Sequence, residues 1–190
     1  VGRKARFPTM RELFGEALNT FLLNPNLEPE SSILTEIAFG LRSGRVSGEI
    51  IPFGTFTSNT IDQRNVTVPG ETRPRLQRIN LRGSRVLGVE IAGAGRPHDD
   101  LRVEGHLTVM NVRRLQSAPT DPTQLSEKPD ALGRLAVSYE PAFGARALVE
   151  TAYTGRAYSL DDNNQFVPLP RSLVLSARLG YRFEMESARS

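Results

Sequence analysis

Apolar and polar residues alternate one by one along several stretches of this chain, and no other feature constrains its fold as much. Ile33, Ile37 and Phe39 share one face of such a stretch, whereas Glu36 and Arg42 share the other. The same period of two recurs in residues 87–92, 101–109, 134–140 and 172–183. A period of two belongs to a β-strand with one buried face, because helices repeat every 3.6 residues. The pattern therefore predicts an all-β fold.

The runs of alternation and the breaks between them set the expected strands. These are a strand end at 1–6 and strands at 32–42, 46–60, 75–93, 100–116, 133–140, 144–158 and 170–183.

Short and long connections between these strands alternate strictly. The turns after residues 42, 93 and 140 are short, and the longer segments are 7–31, 61–74, 117–132 and 159–169. In an antiparallel up-and-down meander every second connection lies at the same end of the sheet. The tight turns are therefore expected at one end and the long loops at the other. Residues 7–18 are compatible with a short helix in the first loop.

Several of the expected strands reach ten residues, whereas strands of soluble proteins usually have five or six. Aromatic residues lie near the strand ends: Phe39, Tyr139, Tyr181 and Phe183 beside the turns, and Phe53, Phe56, Tyr153 and Tyr158 nearer the loops. Long alternating strands with two aromatic girdles are typical of transmembrane β-barrels. The chain would supply about seven or eight strands of such a barrel. A soluble secreted β-sandwich has the same alternation and remains an alternative.

Two residues depart from the pattern. Arg85 falls on the apolar phase if its strand is regular, and a bulge at Gly83 or Gly88 would re-aim it. Pro52 denies its strand one ladder hydrogen bond. The remaining strand arginines are expected to face an aqueous lumen and to pair with Glu36, Glu90, Glu104 and Glu150.

Composition excludes several functional classes. The chain has no cysteine, so neither disulfides nor thiolate chemistry is available. Its net charge of +3 is spread along the chain, whereas nucleic-acid binders concentrate basic residues on one face. We therefore expect no nucleic-acid partner.

The sequence carries no recognisable catalytic or metal-binding motif, and we predict no enzyme activity, metal site or cofactor. His98, Asp99 and Asp100 follow Arg96-Pro97 as ordinary turn residues. His106 is expected on the polar face of its strand. The oxygen-rich segment 161–164 is interpreted as an exposed loop tip, with a Ca²⁺ site as the alternative.

Residues 24–30, NPNLEPE, resemble the Asn-Pro-x-Leu-x-Pro-Glu motif of TonB-dependent outer-membrane receptors. The motif positions are Asn24, Pro25, Leu27, Pro29 and Glu30. They are interpreted as a structural motif on the descending limb of a long outer loop, where Glu28 and Glu30 could hydrogen-bond or pair with loop arginines. No ligand-binding residue is predicted.

Other segments resemble the same family in the same order. They are RKARFPTMREL at 3–13, Ile79-Asn80, Gly88-Val89-Glu90, Tyr153-Thr154-Gly155-Arg156 and Leu169-Pro170 through Tyr181-Arg182-Phe183.

The resemblance implies a 22-stranded barrel in a bacterial outer membrane, of which residues 1–190 would be a fragment. The plug domain and the last hairpins are expected to lie outside this chain. The implied function is TonB-energised uptake of a nutrient such as a metal chelate, including siderophore uptake. The implied partners are outer-membrane lipid, a small-molecule ligand, and the TonB complex through a region before residue 1. A passive outer-membrane porin is the alternative within membrane proteins.

Overall fold

The pairing of backbone strands defines the architecture. The computed structural model describes residues 1–15, 20–116 and 122–183. One helix is described, α1 (Met10–Phe14). The strands are β1 (Gly2–Arg6), β2 (Phe21–Leu22), β3 (Glu30–Glu36), β4 (Phe39–Ser43), β5 (Val46–Ser58), β6 (Ile61–Val66), β7 (Arg75–Asn80), β8 (Gly83–His98), β9 (Leu101–Arg114), β10 (Ala131–Tyr139), β11 (Ala145–Thr154), β12 (Ala157–Leu160), β13 (Phe166–Leu169) and β14 (Ser172–Tyr181).

The largest sheet is an antiparallel meander, which we call the wall sheet. Its order is β1-β3-β5-β8-β9-β10-β11-β14, and β4 also pairs with β5. Tight turns connect β4 to β5, β8 to β9 and β10 to β11, whereas residues 7–29, 59–82, 115–130 and 155–171 form long connections. The tight turns therefore share one end of the sheet, the turn end, and the long connections share the other, the loop end. Both the fold class and the alternation of connections are confirmed.

The predicted strand 32–42 appears as two strands with a single register. Glu36 pairs with Phe53 in β5, and Phe39 pairs with Ile50, so the register is unchanged across the gap. The gap lies opposite Pro52, which has no N–H to donate to the ladder. Its carbonyl still accepts the N–H of Ile37 at 3.2 Å. β3 and β4 therefore fill one position, and the wall sheet has eight.

The predicted strand 75–93 was wrong as a single element. Its first part is β7, which pairs with β6 and β2 in a separate three-stranded sheet at the loop end. Its second part is the wall strand β8. The predicted loop 61–74 likewise contains β6, and strand 46–60 ends at Ser58. The chain leaves the wall at Leu81, whose N–H donates to the carbonyl of Thr60 at 2.8 Å.

The long connection 155–171 also contains a hairpin that was not predicted from the sequence. The predicted strand 144–158 ends as β11 at Thr154, and β12 then pairs with β13 inside the predicted loop 159–169. The helix expected within 7–18 is α1, which is shorter, and residues 16–19 lie outside the described part.

The wall sheet separates its residues onto an apolar face and a polar face. The apolar face carries Ile33, Phe39, Ile50, Phe56, Leu87, Ile91, Leu107, Val109, Leu135, Tyr139, Val149, Leu173, Leu175 and Tyr181, and each of these is exposed. Phe53 lies on the polar face instead, because its register partner is Gly88, which is in phase with Glu90. A Cβ on Gly88 would accordingly meet the Phe53 ring at 2.6 Å. Phe53 was therefore assigned wrongly to an aromatic girdle.

The bulge that was expected to re-aim Arg85 is absent from its part of β8. The register with β5 runs without interruption from Gly83 to Gly95, and the shift against β9 lies between Gly95 and His98. Arg85 therefore stays in phase with Leu87 on the apolar face.

Among the described residues, buried apolar side chains larger than alanine are few and lie at the loop end. Leu27, Leu81 and Leu125 are each at most 7% exposed, and all three belong to the long connections. The wall is a single layer, so it encloses no core of its own. Among the described residues no helix has the length and apolar character needed to cross a membrane.

Candidate functional site

The polar face of the wall sheet is lined by charged and small side chains. A shallow groove of about 550 Å³ runs along it beside Arg42, Glu49, Glu104, His106 and Arg134. Ala92, Ala94 and Ala136 form its floor. Because these positions come from five different strands, only the pairing of the sheet brings them together. The sequence predicted His106 on this face, and its register partner Arg134 confirms that placement.

Ion pairs compensate part of this charge. Arg102 donates to Oε2 of Glu104 from Nε at 2.9 Å and from Nη2 at 2.7 Å. Arg134 pairs with Glu150 on the neighbouring strand. These side chains are 30–51% exposed, and solvent screens ion pairs with such exposure, so they contribute little to stability. The face is thus a balanced polar surface, and both glutamates lie where the sequence placed them.

Glu30 is the meeting point of three elements at the loop end. Its Oε2 accepts from Nε of Arg6 in β1 at 2.5 Å, and its Oε1 accepts the N–H of Ile61 in β6 at 2.6 Å. Glu30 itself begins β3 and is only 14% exposed. One carboxylate therefore joins the wall sheet to the three-stranded sheet of β2, β7 and β6, which we call the loop sheet.

Arg6 extends this network to the helix of the first loop. Its Nη1 donates to both carboxylate oxygens of Glu12 at 3.0 Å. Thr9 and Glu12 form a capping box at the start of α1, with the Thr9 N–H donating to Glu12 at 2.8 Å. Burial raises the pKa of Glu12, but the hydrogen bonds from Thr9 and Arg6 outweigh it, and the net pKa lies below its ordinary value.

The motif residues 24–30 make the connection between the first and second long loops. Asn24 donates from Nδ2 to the carbonyl of Arg78 at 2.8 Å, and its Oδ1 accepts the N–H of Asn26 at 3.2 Å. Pro25 lies in this turn, Leu27 is buried, and Pro29 directly precedes β3. In the described structure the motif residues therefore either contact other residues of this chain or lie in the turn that leads into β3.

Asn80 completes the connection, and sequence reasoning missed this role. Its amide accepts the N–H of Glu28 at 2.8 Å and donates to the carbonyls of Glu28 at 3.0 Å and Asn59 at 2.8 Å. Asn59 has a positive φ of 55° and donates to the Glu28 carboxylate at 2.8 Å. Glu28 was expected to hydrogen-bond or to pair with a loop arginine, and it accepts a hydrogen bond whose donor is the Asn59 amide.

A second contact, which we call the Asn65 clasp, joins the second and fourth long connections. Oδ1 of Asn164 accepts the N–H of Asn65 at 2.6 Å, and its Nδ2 donates to the Asn65 carbonyl at 3.0 Å. Asn65 also donates from Nδ2 to the carbonyl of Asp161 at 2.6 Å. Asn164 has a φ of 62°, a conformation that asparagine tolerates better than most residues. The clasp caps the edge of β6 that pairs with no strand of the described sheet, and it joins two asparagines that are 99 residues apart in sequence.

The two candidate metal segments are both turns. Asp161 accepts the N–H groups of Asn163 at 2.9 Å and Gln165 at 2.7 Å through Oδ1. His98 accepts the N–H of Asp100 at 3.4 Å in the turn between β8 and β9. Within 1–15, 20–116 and 122–183, no three histidine or acidic side chains converge as a metal site requires.

The sequence of the chain matches the TonB dependent receptor-like β-barrel family over residues 1–189. The chain belongs to this family. No curated protein matches it significantly.

Solved structures of the family share its fold. The structure of the copper transporter OprC superposes with a TM-score of 0.72 at 16% identity, covering 96% of this chain and 28% of OprC. The ferric-catecholate receptor Fiu from E. coli K12 gives 0.62 at 19% identity, covering 85% of this chain and 22% of Fiu. The ferric yersiniabactin receptor FyuA from Yersinia pestis gives 0.59 at 17%, covering 81% of this chain and 23% of FyuA. The chain spans about a quarter of the length of these structures.

Membership in this family indicates what each face of the wall sheet contacts. The TonB-dependent receptor β-barrels belong to the bacterial outer membrane and are receptors and transporters rather than enzymes. In a transmembrane barrel the lipid contacts an apolar outer face, while the lumen is polar. The apolar face of the wall sheet therefore corresponds to the outside and the polar face to the lumen.

Proposed function

We propose that this chain forms part of the wall of an outer-membrane receptor that imports a bulky solute, such as a metal chelate, with energy supplied through TonB. Residues 1–190 would contribute eight neighbouring wall positions. The plug, the remaining strands and the segment that contacts TonB would come from other parts of the same protein.

The observation that carries the proposal is the separation of charge across one layer of backbone. All the acidic residues of the wall strands lie on the polar face, together with the arginines that pair with them. A sheet whose two sides meet lipid and water needs this arrangement, because unpaired charge in hydrocarbon is costly. A soluble β-sandwich would instead bury its apolar face against a second sheet.

The substrate class rests on the similar structures. The names of OprC, Fiu and FyuA refer to copper, ferric catecholate and ferric yersiniabactin. Metal ions and metal chelates are thus the first ligands to test. The groove beside Arg134 and His106, and the loops joined by the Asn65 clasp, are the surfaces that such a ligand would meet.

The decisive experiment expresses the complete gene and follows the protein and its cargo. We expect the protein in the outer-membrane fraction, with a folded band that shifts on heating in gel electrophoresis. Uptake of radiolabelled ferric chelates or copper should require an intact TonB system. Uptake that continues without TonB would indicate a passive porin, and a folded protein in the soluble fraction would overturn the barrel.

A further inference from the structure

Three arginines form a row across the apolar face at the loop end, which we call the arginine row: Arg3, Arg85 and Arg113. Arg3 pairs in register with Ile33, Ile33 with Phe56, Phe56 with Arg85, and Arg85 with Arg113. The row thus crosses five neighbouring wall positions at one level. No other charged residue of the described wall strands, apart from the irregular end of β8 at residues 96–98, lies on this face.

The row has no counter-ion among the residues that the structure describes. In the described part of the chain, each acidic residue of the wall strands lies on the polar face: Glu30, Glu36, Glu49, Glu90, Glu104 and Glu150. The arginines of the row make only neutral contacts. Arg113 donates from Nε to Oδ1 of Asn111 at 3.2 Å, and Arg3 donates from Nε to Oγ of Ser31 at 3.4 Å. Nε of Arg85 is buried without a hydrogen-bond partner.

The row also lies at a defined level of the wall. Arg85 is two residues after the start of β8, and Arg113 is one residue before the end of β9. Toward the turn end the same face continues with Leu87, Ile91 and Leu107. A guanidinium on the lipid side is much less costly near the membrane interface than at mid-membrane. The arginine row therefore marks the outer boundary of the apolar band.

We propose that the arginine row binds the phosphate of an anionic lipid in the outer leaflet, specifically a lipid with a phosphate monoester. This inference rests on the proposed function, because it requires the apolar face to meet a membrane. Arg85 and Arg113 are direct cross-strand partners, so their side chains start about 5 Å apart. Together they carry two positive charges, which match a phosphate monoester with close to two negative charges.

The neighbouring residues fit the rest of such a lipid. Phe56 and Leu87 flank Arg85 on the same face and offer apolar contacts below the headgroup. Guanidinium groups bind phosphate in a bidentate fork, and the cross-strand neighbours Arg85 and Arg113 present two of them side by side. Arg3 lies three strand spacings from Arg85, about 14 Å, and adds a further positive charge at the same level of the wall.

The test uses the protein expressed from its complete gene and purified in detergent micelles that contain lipid A, phosphatidylglycerol or phosphatidylcholine. Retained lipid is counted by native mass spectrometry. We expect the unchanged protein to retain lipid A above both other lipids, and the double variant R85Q/R113Q to retain roughly tenfold less. R85K/R113K keeps the charge and should recover part of the binding. The matched control R45Q/R96Q removes two charges at the turn end and should bind lipid A normally.

Equal retention of lipid A by R85Q/R113Q and the unchanged protein would overturn the inference. So would binding of inorganic phosphate alone with the same dependence on these arginines, because that would indicate a free-phosphate site. The heat-dependent gel shift is measured on every variant. Loss of the shift in the unchanged protein would reject the membrane wall and the inference with it, whereas a normal shift with unchanged lipid retention rejects the lipid site alone.

Discussion

Arg6 and Glu30 form the contact on which the loop end of the wall is built, with Nε of Arg6 2.5 Å from Oε2 of Glu30. The second oxygen of Glu30 accepts the N–H of Ile61. This carboxylate therefore holds the first wall strands and the loop sheet in one arrangement.

Substitution of Glu30 by Gln should loosen that arrangement. The amide still reaches Ile61, but the charge that holds Arg6 is lost, and a charge-assisted hydrogen bond contributes about 1–3 kcal/mol. We expect the folded band to convert to the unfolded band at a lower temperature, and proteases to cut sooner within residues 7–29. Glu71→Gln is the control, because the Glu71–Arg75 pair lies within one loop and its loss should cost less than about 0.5 kcal/mol. Equal effects of both variants would contradict the role of Glu30.

The first loop should detach at acidic pH. The folded pKa of Glu12 is lowered, so its stabilising effect is complete above the unfolded value of 4.5 and is lost as pH falls through the folded value. The protection of the α1 amides, measured as the exchange rate relative to the intrinsic rate at each pH, should therefore be greatest at pH 7 and fall below about pH 4.5. The variant Glu12→Gln should show weak protection at every pH. A pH profile that is the same in both proteins would contradict the prediction.

Substitution of Asn164 by Gly should open the Asn65 clasp without straining the backbone. Glycine accepts the positive φ of this position, so only the two side-chain hydrogen bonds to Asn65 are lost. We expect the N–H of Asn65 to exchange with deuterium roughly tenfold faster, since each such bond contributes about 1 kcal/mol. Asn163→Gly is the control, because the Asn163 side chain takes no part in the clasp. Unchanged exchange at Asn65 would show that the clasp is not formed.

A methyl group at Gly88 should destabilise the wall. A Cβ there would lie 2.6 Å from the ring of Phe53 and 2.7 Å from the carbonyl oxygen of Val109, and the backbone oxygen cannot move away cheaply. Overpacking of this kind costs about 1–3 kcal/mol, and we expect Gly88→Ala to lower the temperature of the gel shift. Gly93→Ala in the same strand is the control, since its nearest atom lies at 3.7 Å.

Charge should be tolerated on one face and rejected on the other. Leu107 lies on the apolar face, and its neighbour Thr108 lies on the polar face. Leu107→Arg places a guanidinium toward lipid at a cost of about 2–4 kcal/mol at mid-membrane, so the yield of folded protein in the outer membrane should fall. Thr108→Arg should insert normally. Equal yields of the two variants would contradict the assignment of the faces.

The alternation of residue types determined the all-β fold, the meander and the two faces, because side chains of a strand alternate with a period that any sequence shows directly. The placement of the wall glutamates on the polar face followed from the same period. Of the four glutamates that were expected to pair with arginine, Glu104 and Glu150 do so among the described residues, whereas Glu36 and Glu90 do not. The same period did not give the correct face for two side chains. Phe53 lies on the polar face and not in the aromatic girdle, and Arg85 lies on the apolar face because no bulge re-aims it.

Only the tertiary structure decided where the wall ends and the loops begin. Residues 75–93 were predicted as one strand, yet they divide at Leu81, because Asn80 binds Glu28 and Asn59 and so directs β7 toward β6. The Asn65 clasp and the Arg6–Glu30–Ile61 junction join residues far apart in the chain, and no local pattern encodes such contacts. Periodicity records which side of a strand a residue faces, whereas the partner it meets there depends on how the strands pair.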